Sequence, residues 1–292
     1  MESISIGLDV GGTFIKGAVL TEKKNEYMNV HYYESKSKES KETILANFLF
    51  IINDLLFDIE NIEKVEKISF AFPGPFDYDN GISLIKNLRK FDQVYGINLK
   101  KEIKKMLIAE KSSLFEETQL TFLNDVEAFA IGENKFSKVA KGAYFTIGTG
   151  LGSTFIENKN IVYGKYSIPS SGMIYAEPFK DSTIDHYICE RGLIEIGVQQ
   201  GFDKLNGEDL FYQAESGVEE ALKVFEEFGQ MIGKAIKPFV TEMNPDEIVF
   251  GGQVSKSFKY FREGIKKELS TNSSIHLRES INTTMRTLEG LN

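Results

Sequence analysis

The chain has 292 residues, 41% of them hydrophobic, and a net charge of −9. That length can bury a large core and is enough for two domains, and the hydrophobic share excludes a disordered or fibrous chain. The acidic balance disfavours nucleic acid as the main partner, because a phosphate backbone needs a clustered positive surface.

The single cysteine, Cys189, excludes an internal disulfide framework and a cysteine-based zinc cluster. It has no obvious base beside it and reads as buried filler. No basic segment followed by an apolar run opens the chain, so no secretory signal is expected. The longest apolar stretch, Ile44 to Ile59, is interrupted by Asn47, Asn53, Asp54 and Asp58 and is too short and polar to span a bilayer. A soluble, cytoplasmic protein is expected.

The chain opens on Ile4, Ile6, Leu8 and Val10 alternating with small or polar residues, the period of a strand. Asp9-Val10-Gly11-Gly12-Thr13 then turns it, and β-prone residues resume at Phe14. Paired glycines let backbone N–H groups crowd round an anion, and Thr13 adds a hydroxyl. Asp9 supplies the carboxylate that a Mg²⁺ accompanying a phosphate needs. Alone, the stretch reads equally as a phosphate loop or as an ordinary hairpin turn.

Ile44, Leu45, Phe48, Leu49, Ile52, Leu55 and Leu56 fall at helical spacing. Lys67 to Phe72 is a strand ending at the Pro73-Gly74-Pro75 turn. Asn98 caps a helix carrying Leu99, Ile103, Met106 and Leu107. Thr121-Phe122-Leu123 is a strand that stops at Asn124-Asp125, and a helix follows from Val126 to Phe136. Such a corner is where α/β sheets place ligand groups, although Asp125 also suits a helix cap.

Ala143 to Ile156 repeats the opening design: a β-prone run, Gly148-Thr149-Gly150-Leu151-Gly152, and a second β-prone run. Two such hairpins suggest two related halves that hold a nucleotide's phosphates from opposite sides. Neither has the spacing of a P-loop or a Rossmann turn. Tyr166 to Lys180 is irregular and reads as a substrate or lid loop. One helix is expected from Ser182 through Leu193, and a long one from Gly217 to Met243 kinked at Pro238. Glu247 to Phe250 is a strand, and Gly251-Gly252 offers a flat backbone surface on which an aromatic base could lie before a helix starting near Ser255. A strand near Ile275 to Leu277 and a helix from about Ser280 close the chain.

Asp9-Val10-Gly11-Gly12-Thr13, Phe72-Pro73-Gly74-Pro75, Asn124-Asp125-Val126-Glu127-Ala128, Gly148-Thr149-Gly150-Leu151-Gly152 and Phe250-Gly251-Gly252-Gln253-Val254-Ser255 together resemble the ROK sugar kinases, a family of glucokinase- and fructokinase-like enzymes and sugar-responsive repressors. The resemblance implies an α/β protein with the two-domain actin-like, hexokinase-like ATPase fold, mixed sheets flanked by helices. It implies a smaller domain over residues 1–120, rejoined by a C-terminal helix at 279–292, and a larger one over 121–278. Because the chain opens directly on the first strand, the DNA-reading helix-turn-helix of the repressors is not expected.

The resemblance also implies roles. Asp125 is the general base, and Asn124 holds a neighbouring sugar hydroxyl. Gly11, Gly12, Thr13, Gly148, Thr149, Gly150 and Gly152 hold ATP phosphates, with Lys16 among the nucleotide contacts and Asp9 near Mg²⁺ through water. Gly251 and Gly252 lie by the adenosine, and Pro73, Gly74 and Asn87 reach the sugar.

This chain departs from the family at Gly172-Met173-Ile174-Tyr175-Ala176. There the family carries a sugar-binding Glu and a His that binds sugar and zinc. Met173 cannot accept a hydroxyl hydrogen bond as a carboxylate does. Glu177 is the candidate replacement, His186 reads as an ordinary helix residue, and zinc is not expected. The expected reaction is phosphoryl transfer from ATP to O6 of a hexose or glucoside. The alternatives are a sugar sensor or an actin-like ATPase that does not act on sugar. A homodimer is expected by resemblance only.

Overall fold

The computed structural model describes residues 2–20, 29–57, 59–269 and 275–292. It divides into two compact units, Met1–Gly132 with Thr284–Asn292, and Glu133–Thr283.

The first unit is built on β1 (Glu2–Val10), β2 (Phe14–Leu20), β3 (His31–Glu34), α1 (Lys41–Leu56), β4 (Ile62–Phe72), the short β5 (Phe76–Asp77) and β6 (Ile82–Ser83), α2 (Leu99–Phe115), β7 (Gln119–Asn124) and the start of α3 (Asp125–Ser137), whose residues from Glu133 on belong to the second unit. Its main sheet has the order β3-β2-β1-β4-β7. β1 and β2 form the antiparallel hairpin, and β4 and β7 run parallel to β1 and to each other. Inward-pointing Ile6, Leu8, Phe70 and Phe72 meet Phe48 and Ile52 of α1, all fully buried. Aromatic stacking tightens this core, with the Phe70 and Phe122 rings 4.6 Å apart. Ser40 caps α1 by accepting the Thr43 N–H at 3.2 Å, and Asn98 caps α2 through the Lys101 N–H at 2.9 Å.

The second unit contains β8 (Lys141–Ile147), β9 (Leu151–Glu157), β10 (Asn160–Ile161), β11 (Pro178–Phe179), β12 (Ser182–Thr183), α4 (Ile184–Tyr187), α5 (Glu190–Gln199), α6 (Gly207–Glu215), α7 (Glu219–Met243), β13 (Glu247–Gly251), α8 (Phe258–Glu268) and β14 (His276–Glu279). Its sheet order is β10-β9-β8-β13-β14, the same plan as the first: an antiparallel hairpin followed by two parallel strands. The last helix, α9 (Thr283–Leu291), returns to the first unit. A Cβ on Gly132 would fall 1.8 Å from the Arg286 carbonyl oxygen, and one on Gly290 would fall 1.8 Å from that of Ala128. Glycine at both places lets α3 and α9 touch backbone to backbone.

Several boundaries differ from the sequence expectation. The first unit extends past residue 120 because β7 pairs with β4, and the returning segment starts at 284 rather than 279 because β14 pairs with β13. The single helix expected from Ser182 is two, broken at Cys189, whose extended φ of −158° lets the Glu190 N–H reach the Gly148 carbonyl at 2.8 Å. α6 had no expectation. α7 starts two residues later than expected, at Glu219, and runs through Pro238 to Met243. A 3-10 turn, Val254–Ser257, precedes α8. Among the described residues, no helix is long and apolar enough to cross a membrane.

Candidate active-site residues in each unit

In the first unit, Asp9 and Lys16 are direct cross-strand partners and form an ion pair at 2.8 Å. The turn between them closes on itself, the Gly11 N–H donating to the Phe14 carbonyl at 2.9 Å. A Cβ on Gly11 would stand 2.7 Å from that carbonyl oxygen, so only glycine fits. The N–H groups of Gly12 and Thr13 make no hydrogen bond among the described residues and remain available as donors.

The parallel pairing of β4 and β7 sets Phe72 opposite Asn124. Both strands therefore end together, as ligand sites on α/β sheets require. Pro73 and Gly74 follow the first strand, and Asn124 and Asp125 follow the second. Asn124 donates from Nδ2 to the Tyr78 hydroxyl at 2.9 Å, and its Oδ1 accepts the Val126 N–H at 2.9 Å. Tyr78 in turn donates to the Phe72 carbonyl at 3.0 Å. Gly74 leaves room for this group, since a Cβ there would lie 3.3 Å from the Tyr78 hydroxyl.

Asp125 is half-buried at the start of α3, and its Oδ1 accepts the Val126 N–H at 3.0 Å. The cap reading and the ligand reading are thus compatible: Asn124 and Asp125 share one helix N–H, and the second Asp125 oxygen is left over among the described residues. Burial pushes the Asp125 carboxyl up from the ordinary carboxylate range, and the charge of Asp9 adds to this; the Lys90 ammonium and the Val126 N–H oppose it. Burial also pushes the Tyr78 phenol up.

Asn87 lies in a left-handed conformation at φ 62°, exposed, and makes no hydrogen bond to Asn124 or Asp125.

In the second unit, the Gly148 N–H closes its turn on the Gly150 carbonyl at 3.0 Å, leaving the Thr149 and Gly150 N–H groups without partners among the described residues. Gly152 lies on β9 opposite Thr146. The Leu151 N–H is already committed to Asp185 Oδ1 at 2.7 Å. β13 brings Gly251 beside Thr146, and Gly252, at φ 90°, packs so closely that a Cβ would sit 2.4 Å from the Ile147 carbonyl oxygen. The glycine turn and the flat Gly251-Gly252 backbone are therefore neighbours within this unit.

Glu177 is half-buried in a turn, its N–H donating to the Ile174 carbonyl at 3.1 Å and its own carbonyl accepting the Ile184 N–H at 2.9 Å. The Asp185 N–H holds the Tyr175 carbonyl at 2.9 Å, so Asp185 ties the divergent segment to the glycine turn. His186 lies 3.7 Å from Glu195 on the neighbouring helix. No group of three or more His, Cys, Asp or Glu among the described residues is arranged to hold a metal ion.

Tyr78, Lys90 and Asp185 were not anticipated. Tyr78 and Asp185 stand outside every glycine motif. The Arg89-Lys90 pair beside Asn87 was the one available signal.

Two mixed sheets of one plan, each carrying a glycine turn in its central hairpin and flanked by helices, define the actin-like ATPase fold. The chain belongs to the ROK family, whose pattern matches residues 5–286. It is 26% identical to a glucokinase of Halalkalibacterium halodurans, covering 90% of this chain and 84% of that one. It is 23% identical to an N-acetyl-D-glucosamine kinase of Pasteurella multocida, covering 90% and 88%. Among solved structures it matches a ROK family glucokinase from Streptomyces griseus, in complex with glucose and AMPPNP, at a TM-score of 0.74 and 17% identity, covering 99% of this chain and 98% of that one.

Proposed function

We propose that this protein is an ATP-dependent carbohydrate kinase that transfers the γ-phosphoryl group to O6 of a hexose or of the hexosyl unit of a glucoside, with Asp125 as general base. The observation that carries the reading is the half-buried Asp125 carboxylate, with one oxygen uncommitted, at the shared end of β4 and β7. Kinase names among the relatives and the AMPPNP complex of a neighbour support ATP as donor.

Phosphoryl transfer asks the protein for positioning and charge neutralisation more than for covalent chemistry. Gly12, Thr13, Thr149 and Gly150 offer free backbone donors for phosphate oxygens. Asp125 orients the attacking hydroxyl and takes its proton. Asn124, held by Tyr78 and Val126, presents its remaining Nδ2 hydrogen to an adjacent sugar oxygen. Pro73, Gly74, Asn87 and Glu177 are the other sugar contacts in this reading, and Gly251-Gly252 supports the adenine. A single carboxylate beside open backbone donors suits Mg²⁺, which takes one or two carboxylates and keeps phosphate and water as its other ligands. Asp9 would hold it, and its charge would offset that of the phosphates. Zinc has no place in this scheme.

Met173 and Ala176 favour a second reading, a sugar sensor with weak turnover, since neither can hydrogen-bond a sugar hydroxyl through its side chain as a carboxylate or imidazole does. A coupled ADP-release assay over hexoses, amino-sugars and glucosides decides. Sugar-dependent ADP release supports the kinase, binding without release supports the sensor, and release without sugar supports a plain ATPase.

A further inference from the structure

The segment Asn87–Phe91 is wound unusually tightly. Asn87, Arg89 and Phe91 are all left-handed, at φ 62°, 58° and 57°. Non-glycine residues rarely adopt that conformation, and such strain persists only where surrounding structure imposes it. Here the imposing contacts are visible. Phe91 is fully buried, its ring 5.1 Å from that of Phe72. Its N–H donates to the Ser37 carbonyl at 2.6 Å, and the Ser37 hydroxyl donates to the Gly12 carbonyl at 2.5 Å. The Leu88 N–H is held by Asp92 Oδ1 at 3.2 Å. Ser37 thus ties the segment directly to the first glycine turn.

The residue so positioned is Lys90. Its stem covers Gly12: a Cβ built there would lie 3.1 Å from Lys90 Cδ and 3.8 Å from Lys90 Cβ. The side chain is half-buried and forms no ion pair among the described residues, whereas Lys16 is already paired with Asp9. An unpaired, partly desolvated ammonium beside unused Gly12 and Thr13 N–H groups is arranged to meet an anion. Its field also reaches Asp125.

We propose that Lys90 is a catalytic residue whose ammonium contacts the phosphoryl group in transit from ATP to the sugar. This rests on the kinase reading above. In the step, the sugar oxygen forms a bond to Pγ while the Pγ–O bond to the β-phosphate breaks. The electron pair leaves with ADP, the hydroxyl proton passes to Asp125, and Lys90 stays protonated throughout. Its fixed charge stabilises the phosphoryl oxygens in a site that already contains two carboxylates.

The test compares Lys90→Met, Lys90→Arg and, as a control, Lys86→Met, which removes an exposed lysine of the same loop. Lys90→Met is expected to lower kcat about 10²–10³-fold, the usual cost of removing one preorganised charge donor. KM for the sugar and affinity for ADP should stay within about twofold, while AMPPNP affinity falls about tenfold, because only a ligand with a γ-phosphoryl group meets the lysine. Lys90→Arg should recover part of the loss, and Lys86→Met should match wild type. Unchanged kcat and AMPPNP affinity in Lys90→Met would overturn the assignment. So would equal losses in Lys90→Met and Lys90→Arg that track a fall in melting temperature. A wild-type protein that phosphorylates no sugar sinks the kinase reading instead, and the AMPPNP-to-ADP ratio still decides Lys90.

Discussion

The two glycine turns offer similar backbone donors in different charge environments. In each, the first glycine N–H closes the turn, and the next two N–H groups stay free among the described residues. Around Gly11–Thr13 stand Asp9 paired with Lys16, and Lys90 lying on Gly12. Against Gly150 stands Asp185, which spends one oxygen on the Leu151 N–H. A local sequence pattern therefore specifies where the donors go, while part of the charge beside them, Lys90 and Asp185, arrives from distant segments. In the proposed reaction the first turn is the one that manages charge. The second is braced by Asp185.

The sharpest way to break this asymmetry is at Asp125. Asp125→Asn is expected to bind ATP normally and to lose about 10²–10⁴-fold in kcat, the range for removal of a general base. The acid limb of wild-type kcat/KM should sit above the ordinary carboxylate range, since burial and Asp9 raise this carboxyl in the free protein. The stability consequence runs the opposite way. A carboxyl that holds its proton more firmly folded than unfolded makes the fold less stable as pH rises through that window. Ligand-free Asp125→Asn should accordingly melt no lower than wild type at neutral pH. A lower melting point would show that the residue serves structure first.

Next in size is a matched pair of substitutions. Gly11→Ala drives a methyl against the Phe14 backbone carbonyl, which cannot yield, whereas Gly150→Ala meets only the carboxylate of Asp185, 2.8 Å away at the end of a side chain that can rotate. Overpacking costs about 1–3 kcal/mol where neighbours are fixed. ATP affinity, read by titration calorimetry, should fall more in Gly11→Ala than in Gly150→Ala. Equal losses would mean that Asp185 is as rigid as backbone.

How much of this was legible beforehand follows the same division. β-prone runs and closely spaced glycines announced both hairpins, and the strand-to-helix corner announced Asn124 and Asp125, because those signals are local. The compact units divide at Gly132 rather than at residue 120 because β7 belongs to the first sheet through its pairing with β4, a contact that no spacing encodes. The helix expected from Ser182 broke at Cys189 because a tertiary bond to Gly148 competes with helix continuation. Lys90 was signalled only by the Arg89-Lys90 pair, for the same reason: its meaning depends on Ser37 joining the Phe91 backbone to Gly12.

The smallest expected effect tests whether the sugar side of the first unit is as pre-set as its phosphate side. The Tyr78 hydroxyl occupies one of the two hydrogens of Asn124 Nδ2, while Asn124 Oδ1 is occupied by the Val126 N–H. Both contacts fix the amide's orientation, so the remaining hydrogen points one way only. Tyr78→Phe keeps the ring packed on Phe76, 5.2 Å away, and removes the hydroxyl alone. One neutral hydrogen bond is worth about 1 kcal/mol, so KM for the sugar should rise about fivefold while KM for ATP and the melting temperature barely move. A rise in both KM values would mean that Tyr78 braces the whole Pro73–Gly74 turn. A rise in neither would mean that Val126 alone orients Asn124, and that the sugar side is held by one bond where the phosphate side is held by several.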